Sequence, residues 1–311
     1  MKHELLITGP MYPHTLEELE RTYNAHRLWT APDKEALLAS LADKVTAVAS
    51  SNSGGIDGAT MAKLPKLKVI AHFGVGYDTV DVAAARKRGI PVTNTPDVLT
   101  EEVADLTLAL LLATIRRVPQ GDRYVREGKW LKGPMALTES FQGKTVGIIG
   151  AGRIGQAIGR RCAAFGVKLA YQGPNRKAEL PWTYYEDPVE LAMNCDVIVA
   201  ACPGGEATRN LVSRRVIEAL GPKGFLVNIS RGSVVDEPAL LEALQQNKIA
   251  GAGLDVFADE PRVPEAFFAL DNVVLQPHVA SATHPTRKAM GQLVIDNLAA
   301  HFAGKPLVTP I

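Results

Sequence analysis

Short apolar runs rich in Val, Ile and Leu recur along the chain, and most are followed by a longer stretch of helix-forming residues. In the first part, Leu5–Thr8, Val45–Ala49, Lys68–Ala71 and Pro91–Thr93 are expected to be strands, with helices over Glu35–Ala42 and Ala83–Arg88. A second series starts at Thr145–Ile149 and continues through Lys168–Tyr171, Asp196–Ala200, Phe225–Ile229, Gly251–Leu254 and Val273–Leu275. Strands alternating with helices form β-α-β units, which assemble parallel sheets. The expected fold class is therefore α/β, with two doubly wound parallel-sheet, Rossmann-like domains. Between the two series, Thr100 is placed as the N-cap of a connecting helix from Glu101 to Arg116, with acidic residues in its first turn. The closing helix, Pro285–Phe302, carries apolar residues on one face and is expected to return to the first domain. This predicts one domain from residues 1–99 and 284–311 and a second from 100–283.

Composition narrows the partners. A chain of 311 residues with 46% hydrophobic content is enough for two buried cores. Its 34 basic and 33 acidic side chains nearly cancel, so no global field draws it to nucleic acid or an anionic membrane surface, and neither is expected as a partner. The apolar run near the start is broken by Gly9 and Pro10 and is too short for a signal-peptide core. The run from Leu106 to Ile115 is interrupted by threonine and falls far short of the roughly 20 residues that span a bilayer, so a cytoplasmic location is expected. Cys162, Cys195 and Cys202 lie in or beside apolar segments without metal-ligand spacing; they read as buried free thiols, and no metal site is expected.

The first specific chemistry follows the strand at Thr145–Ile149. There, Gly150-Ala151-Gly152-Arg153-Ile154-Gly155 runs directly into a helical stretch, which is G-x-G-x-x-G in the strand–turn–helix setting that a dinucleotide needs. Gly150 permits the tight turn, Gly152 lets the backbone approach a pyrophosphate, and Gly155 allows close packing of helix on sheet. The helix N-terminus then offers N–H groups and positive partial charge to the phosphates. A glycine-rich turn that merely closes a β-α connection is the plainer reading, and the flanking strand and helix argue against it. The next strand ends in Gln172-Gly173-Pro174-Asn175-Arg176-Lys177, with no carboxylate to hold a ribose 2′-hydroxyl. Arg176 and Lys177 suit a 2′-phosphate instead, so NADP is the expected cofactor and NAD the alternative. An ordinary solvated basic turn would have the same composition.

Three polar groups follow strand-like runs late in the second series: Arg231 after Phe225–Ile229, Glu260 after Gly253–Val256, and His278 after Val273–Leu275. In an open α/β sheet, ligands bind outside the carboxyl ends of the strands, where all three can converge. Singly, each has a structural explanation: a surface cation, a cap before Pro261, a satisfied core histidine. Their succession downstream of a dinucleotide turn favours a site.

Six segments together carry a resemblance: Phe73-Gly74-Val75-Gly76-Tyr77-Asp78, Asn94-Thr95-Pro96-Asp97-Val98-Leu99-Thr100, the glycine turn, Asn228-Ile229-Ser230-Arg231-Gly232, Gly253-Leu254-Asp255-Val256-Phe257 and Pro277-His278-Val279. In this order they resemble the D-isomer-specific 2-hydroxyacid dehydrogenases over nearly the whole chain. Thr95–Thr100 and Ala219-Leu220-Gly221-Pro222-Lys223-Gly224 look most like the NADPH-preferring glyoxylate/hydroxypyruvate and hydroxyphenylpyruvate reductases. The resemblance implies two domains with an active-site cleft between them, and reduction of small 2-oxo acids to D-2-hydroxy acids. It implies that Arg231 grips the substrate carboxylate and polarises the 2-oxo group, that His278 exchanges the proton, and that Glu260 orients the imidazole and favours its charged form.

The resemblance also implies that backbone N–H groups of Val75 and Gly76 meet the same carboxylate. Arg153 and Ile154 match pyrophosphate contacts, while Thr100, Ile229, Asp255 and His278 line the cofactor and Asn175, Arg176 and Lys177 border its ribose. Relatives that prefer NADP carry Ser-Arg directly after the strand, whereas Gly173-Pro174 stands here. His72, beside the glycine loop, is read as structural. Trp130 and Leu131–Phe141 resemble the family's dimerisation arm, implying a homodimer. Two other readings stay open: a nucleotide-sensing binding protein of the same fold, and a phosphoglycerate-type dehydrogenase using NAD.

Overall fold

The computed structural model describes residues 2–311, so residue 1 of the first expected domain lies outside the described residues. In chain order the strands and helices are β1 (Glu4–Ile7), α1 (Pro13–Thr22), β2 (Asn24–Arg27), α2 (Lys34–Leu41), β3 (Ala47–Ser51), α3 (Gly58–Ala62), β4 (Val69–Phe73), α4 (Val82–Lys87) and β5 (Val92–Thr93). There follow α5 (Thr100–Ile115), α6 (Val118–Arg126), β6 (Thr145–Ile149), α7 (Arg153–Ala163), β7 (Lys168–Gln172), β8 (Thr183–Tyr185), α8 (Pro188–Met193) and β9 (Val197–Ala200). The chain closes with α9 (Arg214–Leu220), β10 (Phe225–Asn228), α10 (Glu237–Gln245), β11 (Gly251–Leu254), β12 (Val273–Leu275) and α11 (His284–Phe302).

The chain divides into two compact units: Thr100–Ser281, and the described residues of Met1–Leu99 with Ala282–Ile311. The unit of Met1–Leu99 and Ala282–Ile311, the first, holds a five-stranded sheet in the order β2-β1-β3-β4-β5, and the unit of Thr100–Ser281, the second, a seven-stranded sheet in the order β12-β11-β10-β9-β6-β7-β8. Every pairing within both sheets is parallel. Each sheet reverses its strand order once, between β1 and β3 and between β6 and β9, and such reversals are where open α/β sheets bind ligands.

Two strands carry no apolar run and escape sequence reading. β2 reads Asn-Ala-His-Arg and β8 Thr-Tyr-Tyr; both are sheet edges, exposed or half-buried, and owe their pairing to the neighbouring strand rather than to their own pattern. Thr100 is already helical in α5 rather than capping it. That helix lies on β10, β11 and β12 and against α7, so it is part of the second unit's own packing. A Cβ on Gly253 would come within 2.7 Å of both Leu110 Cγ and Thr114 Oγ1, so the bare strand position lets α5 approach the sheet closely. Arg161, paired to Asp105 and Glu101, adds ionic contacts between α7 and α5.

α11 packs on α1 and β4 in the first unit. Its inner face is not purely apolar as the sequence suggested: Thr286 and Asn297 are buried beside Met290, Val294 and Leu298. Asn297 accepts from the amides of Val308 and Thr309 and donates to the Thr309 hydroxyl, tying the C-terminal segment to the helix.

Candidate active site

The loops after β10, β11 and β12, which are neighbours in the seven-stranded sheet, bring Arg231, Glu260 and His278 into one cluster of the second unit. Local chemistry explains the Arg231 loop. Asn228, at the end of β10 and almost fully buried, accepts from the Ser230 N–H (3.1 Å) and hydroxyl (2.9 Å) and donates from Nδ2 to the Arg231 carbonyl (2.9 Å). Gly232 follows because a Cβ there would lie 1.9 Å from the Phe257 carbonyl carbon. The Arg231 turn thus sits directly on the backbone that leads to Glu260. Glu237 reinforces the contact by accepting from the Ala258 N–H at 2.9 Å.

Glu260 folds back so that Oε1 accepts from the Phe257 N–H (3.0 Å) and Oε2 meets His278 Nδ1 at 2.6 Å. Burial works to raise the Glu260 pKa, but the His278 hydrogen bond and charge, the Phe257 amide and the Arg231 charge outweigh it and hold the carboxyl below its usual value. With Nδ1 taken by a carboxylate, Nε2 is the nitrogen left for exchange with a substrate. The two side chains keep about a third of their surface accessible, 32% for His278 and 33% for Glu260.

His278 has φ 54°, in the left-handed region that residues other than glycine rarely enter. Asp255 holds it there. Its carbonyl accepts from the His278 N–H (2.8 Å) and its carboxylate from the Val279 and Ala280 amides (2.8 and 3.0 Å). Asp255 is fully buried, and burial pushes its carboxyl pKa up against the pull of those amides. Sequence reading set Asp255 beside the cofactor; the structure gives its carboxylate a task in shaping the His278 loop, which residue spacing alone does not reveal.

The glycine turn has the geometry its residues require. Gly150 has φ +96° and lies against the Cys202 backbone, 2.6 Å from where a Cβ would stand, and a Cβ on Gly155 would fall 2.2 Å from the Gly150 carbonyl oxygen. Gly152, by contrast, has nothing within 4 Å of that position, and it caps α7 without a side-chain hydrogen bond to the helix amides. An open approach to a helix N-terminus that begins with Arg153 and Ile154 fits a pyrophosphate. Ile229 is buried at the end of β10, and Thr100 is half-buried at the start of α5.

The turn after β7 is pinned by two phenols. Buried Tyr171 accepts from the Lys177 N–H (2.7 Å) and donates to its carbonyl (3.3 Å), while Tyr184 donates to the Gly173 carbonyl (3.0 Å). Asn175 and Arg176 are exposed and Lys177 is half-buried. Gln172 extends the strand, and its side chain turns inward to donate to the Glu186 carbonyl. Tyr184 belongs to the edge strand that sequence reading missed, so its contribution to this turn was also hidden.

In the first unit, Val75 and Gly76 form a half-buried loop directly after β4. The three cysteines are buried and free; burial pushes the thiols of Cys162 and Cys195 up to about 12 and that of Cys202 to about 11, which leaves them protonated and unreactive at neutral pH. Among the described residues no group of His, Cys, Asp and Glu could hold a metal ion, and no helix is long and apolar enough to cross a membrane.

A reversed parallel sheet with a glycine turn at one strand end and a carboxylate-oriented imidazole beside an arginine at others is an arrangement suited to dinucleotide binding and proton transfer. Residues 108–280 match the NAD binding domain of the D-isomer specific 2-hydroxyacid dehydrogenases. The chain is 48% identical to glyoxylate/hydroxypyruvate reductase A of Arabidopsis thaliana, covering 99% of this chain and 98% of that protein. It is also 48% identical, with the same coverage, to hydroxyphenylpyruvate reductase of Plectranthus scutellarioides. A crystal structure of the NADPH-dependent glyoxylate/hydroxypyruvate reductase of Sinorhizobium meliloti, in complex with NADP and malonate, superposes with a TM-score of 0.94 at 46% identity, covering 100% of this chain and 97% of that one. The chain belongs to the D-isomer specific 2-hydroxyacid dehydrogenase family.

Proposed function

We propose that this protein reduces small 2-oxo acids such as glyoxylate or hydroxypyruvate to D-2-hydroxy acids with NADPH. The observation that carries this reading is the 2.6 Å pairing of Glu260 with His278 Nδ1, beside Arg231 on adjoining strand ends. Gly150, Gly152, Arg153, Ile154 and Gly155 are assigned to the pyrophosphate, and Asn175, Arg176 and Lys177 to the phosphorylated ribose. The remaining cofactor contacts are assigned to Thr100, Ile229, Asp255 and His278. When bound, NADPH supplies the hydride.

The rest of the chemistry belongs to the chain. Arg231 grips the substrate carboxylate through its planar donor fork and draws electron density toward the 2-oxo oxygen. The amides of Val75 and Gly76 are assigned to the same carboxylate. As negative charge develops on the oxygen, imidazolium His278 delivers its Nε2 proton; in the reverse direction neutral Nε2 accepts it. Glu260 holds the ring in orientation through Nδ1.

The cofactor assignment is tested by the double substitution Arg176→Ala and Lys177→Ala. Charge-assisted hydrogen bonds are worth about 1.5–3 kcal/mol, so the preference for NADPH over NADH in kcat/KM should shrink roughly ten- to a hundredfold. A wild-type protein that prefers NADH sinks the assignment.

A cytoplasmic homodimer completes the proposal. α6 buries no residue, and Val118, Val125, Trp130, Leu131 and Leu137 are all exposed on it and on the arm that follows. A cluster of exposed apolar side chains of this kind suits a second copy of the chain. Sedimentation velocity should give a dimer for the wild type and a monomer for the Trp130→Asp, Leu131→Asp double variant; a monomeric wild type would remove the assignment.

A further inference from the structure

The loop after β4 shows how its amides are aimed. Three consecutive carbonyls turn toward the core of the first unit: Gly74 O accepts from the Thr95 N–H (2.9 Å), Val75 O from Asn94 Nδ2 (2.9 Å), and Gly76 O from His72 Nε2 (3.0 Å). The N–H and C=O of one trans peptide point in opposite directions. Capturing these carbonyls therefore turns the next N–H groups, those of Val75, Gly76 and Tyr77, away from the core. Successive N–H groups on one side of a turn make an anion-binding concavity.

The donors behind the loop are built for the task. His72 has no accessible surface, and its Nε2 faces two acceptors, Gly76 O and Asn52 Oδ1 (3.1 Å), so Nε2 carries the hydrogen. Nδ1 lies 2.9 Å from the hydroxyl of Ser50, itself fully buried, which donates to it in the neutral ring. Asn94 is held in turn: its carbonyl accepts from the Thr309 hydroxyl (2.6 Å), and that hydroxyl accepts from Asn297 Nδ2 (2.9 Å). A line of hydrogen bonds thus runs from α11 through the C-terminal segment to the Val75 carbonyl.

We propose that His72 and Asn94 are positioning residues for substrate, turning the Val75, Gly76 and Tyr77 amides into a carboxylate receptor, with Tyr77 N–H as a third donor. The inference rests on the reading that this loop takes the carboxylate of a 2-oxo acid. It goes beyond the structural role that burial alone would give His72. A histidine that only filled the core would affect stability, whereas one that aims amides affects the affinity for carboxylates.

The test uses His72→Leu and Asn94→Leu, which keep bulk and remove the donor, and His72→Gln, whose Nε2 can restore it. For each, steady-state kinetics give KM for glyoxylate and for NADPH, and calorimetry gives the affinity for oxalate, an unreactive carboxylate probe. In both Leu variants the glyoxylate KM and the oxalate Kd should rise together by roughly ten- to a hundredfold, with the NADPH KM unchanged and most of the loss recovered in His72→Gln. Unchanged oxalate affinity in a folded Leu variant, or a Gln variant no better than Leu, overturns the proposal. Should His72→Leu fail to fold, Asn94→Leu decides by the same measurements. A wild-type protein that neither reduces glyoxylate nor binds oxalate would instead refute the functional reading beneath it.

Discussion

Replacing His278 with Ala is expected to lower the turnover of 2-oxo acid reduction by about 10²–10⁴-fold at every pH, the range typical of a positioned acid-base group. NADPH affinity should stay nearly intact, because the glycine turn and the residues after β7 are untouched. The neighbouring Glu260→Gln substitution should act through the orientation of the His278 ring. The Glu260 carboxyl lies below its usual value, so it stays ionised across the neutral range. Without the carboxylate the ring loses its partner at Nδ1, so turnover should fall while NADPH affinity holds. The same lowered value makes the carboxylate contribute to folding above its reference value of 4.5, a contribution lost as pH falls through the lowered folded value. Initial rates across pH, beside calorimetric titration of NADPH, separate these effects. An active His278→Ala protein would overturn the mechanism, and unchanged turnover in Glu260→Gln would remove Glu260 from its orienting role.

Arg231→Lys should lose roughly a hundredfold or more in kcat/KM for a 2-oxo acid although it keeps the charge. An ammonium is a point donor and cannot both grip a carboxylate in bidentate fashion and reach the adjacent carbonyl. Losing one or two charge-assisted bonds of about 1.5–3 kcal/mol each gives an effect of that size. The turn itself should survive, since Asn228 holds the Arg231 backbone carbonyl and Gly232 maintains the contact with the 257–258 backbone. NADPH binding should change little. Near-native turnover in the Lys variant, or loss of cofactor affinity in place of substrate turnover, would show that Arg231 does something else.

Several contacts that shape these sites are long-range and leave no local mark. Nothing in Asn94-Thr95-Pro96 announces that the Asn94 side chain captures Val75, because the partner stands 19 positions away and is a backbone carbonyl. Asp255 and Ala280 are 25 apart, and only the side-by-side course of β11 and β12 lets one carboxylate bind successive amides of the His278 loop. The Tyr184 hydroxyl reaches Gly173 only because β8 pairs with β7.

The sequence by itself determined the α/β class, the strands that carry an apolar run, the glycine turn and the candidacy of Arg231, Glu260 and His278. Those features are local: a buried parallel strand needs a short apolar run, and a turn at φ +96° against a neighbouring backbone needs a residue without a Cβ. Tertiary structure alone decided the edge strands β2 and β8, the polar anchoring of α11 through Asn297, the left-handed His278 held by Asp255, and the alignment of the 74–77 loop by His72 and Asn94. Each depends on hydrogen bonds whose geometry exists only in the folded chain, and residue pattern carries no record of them.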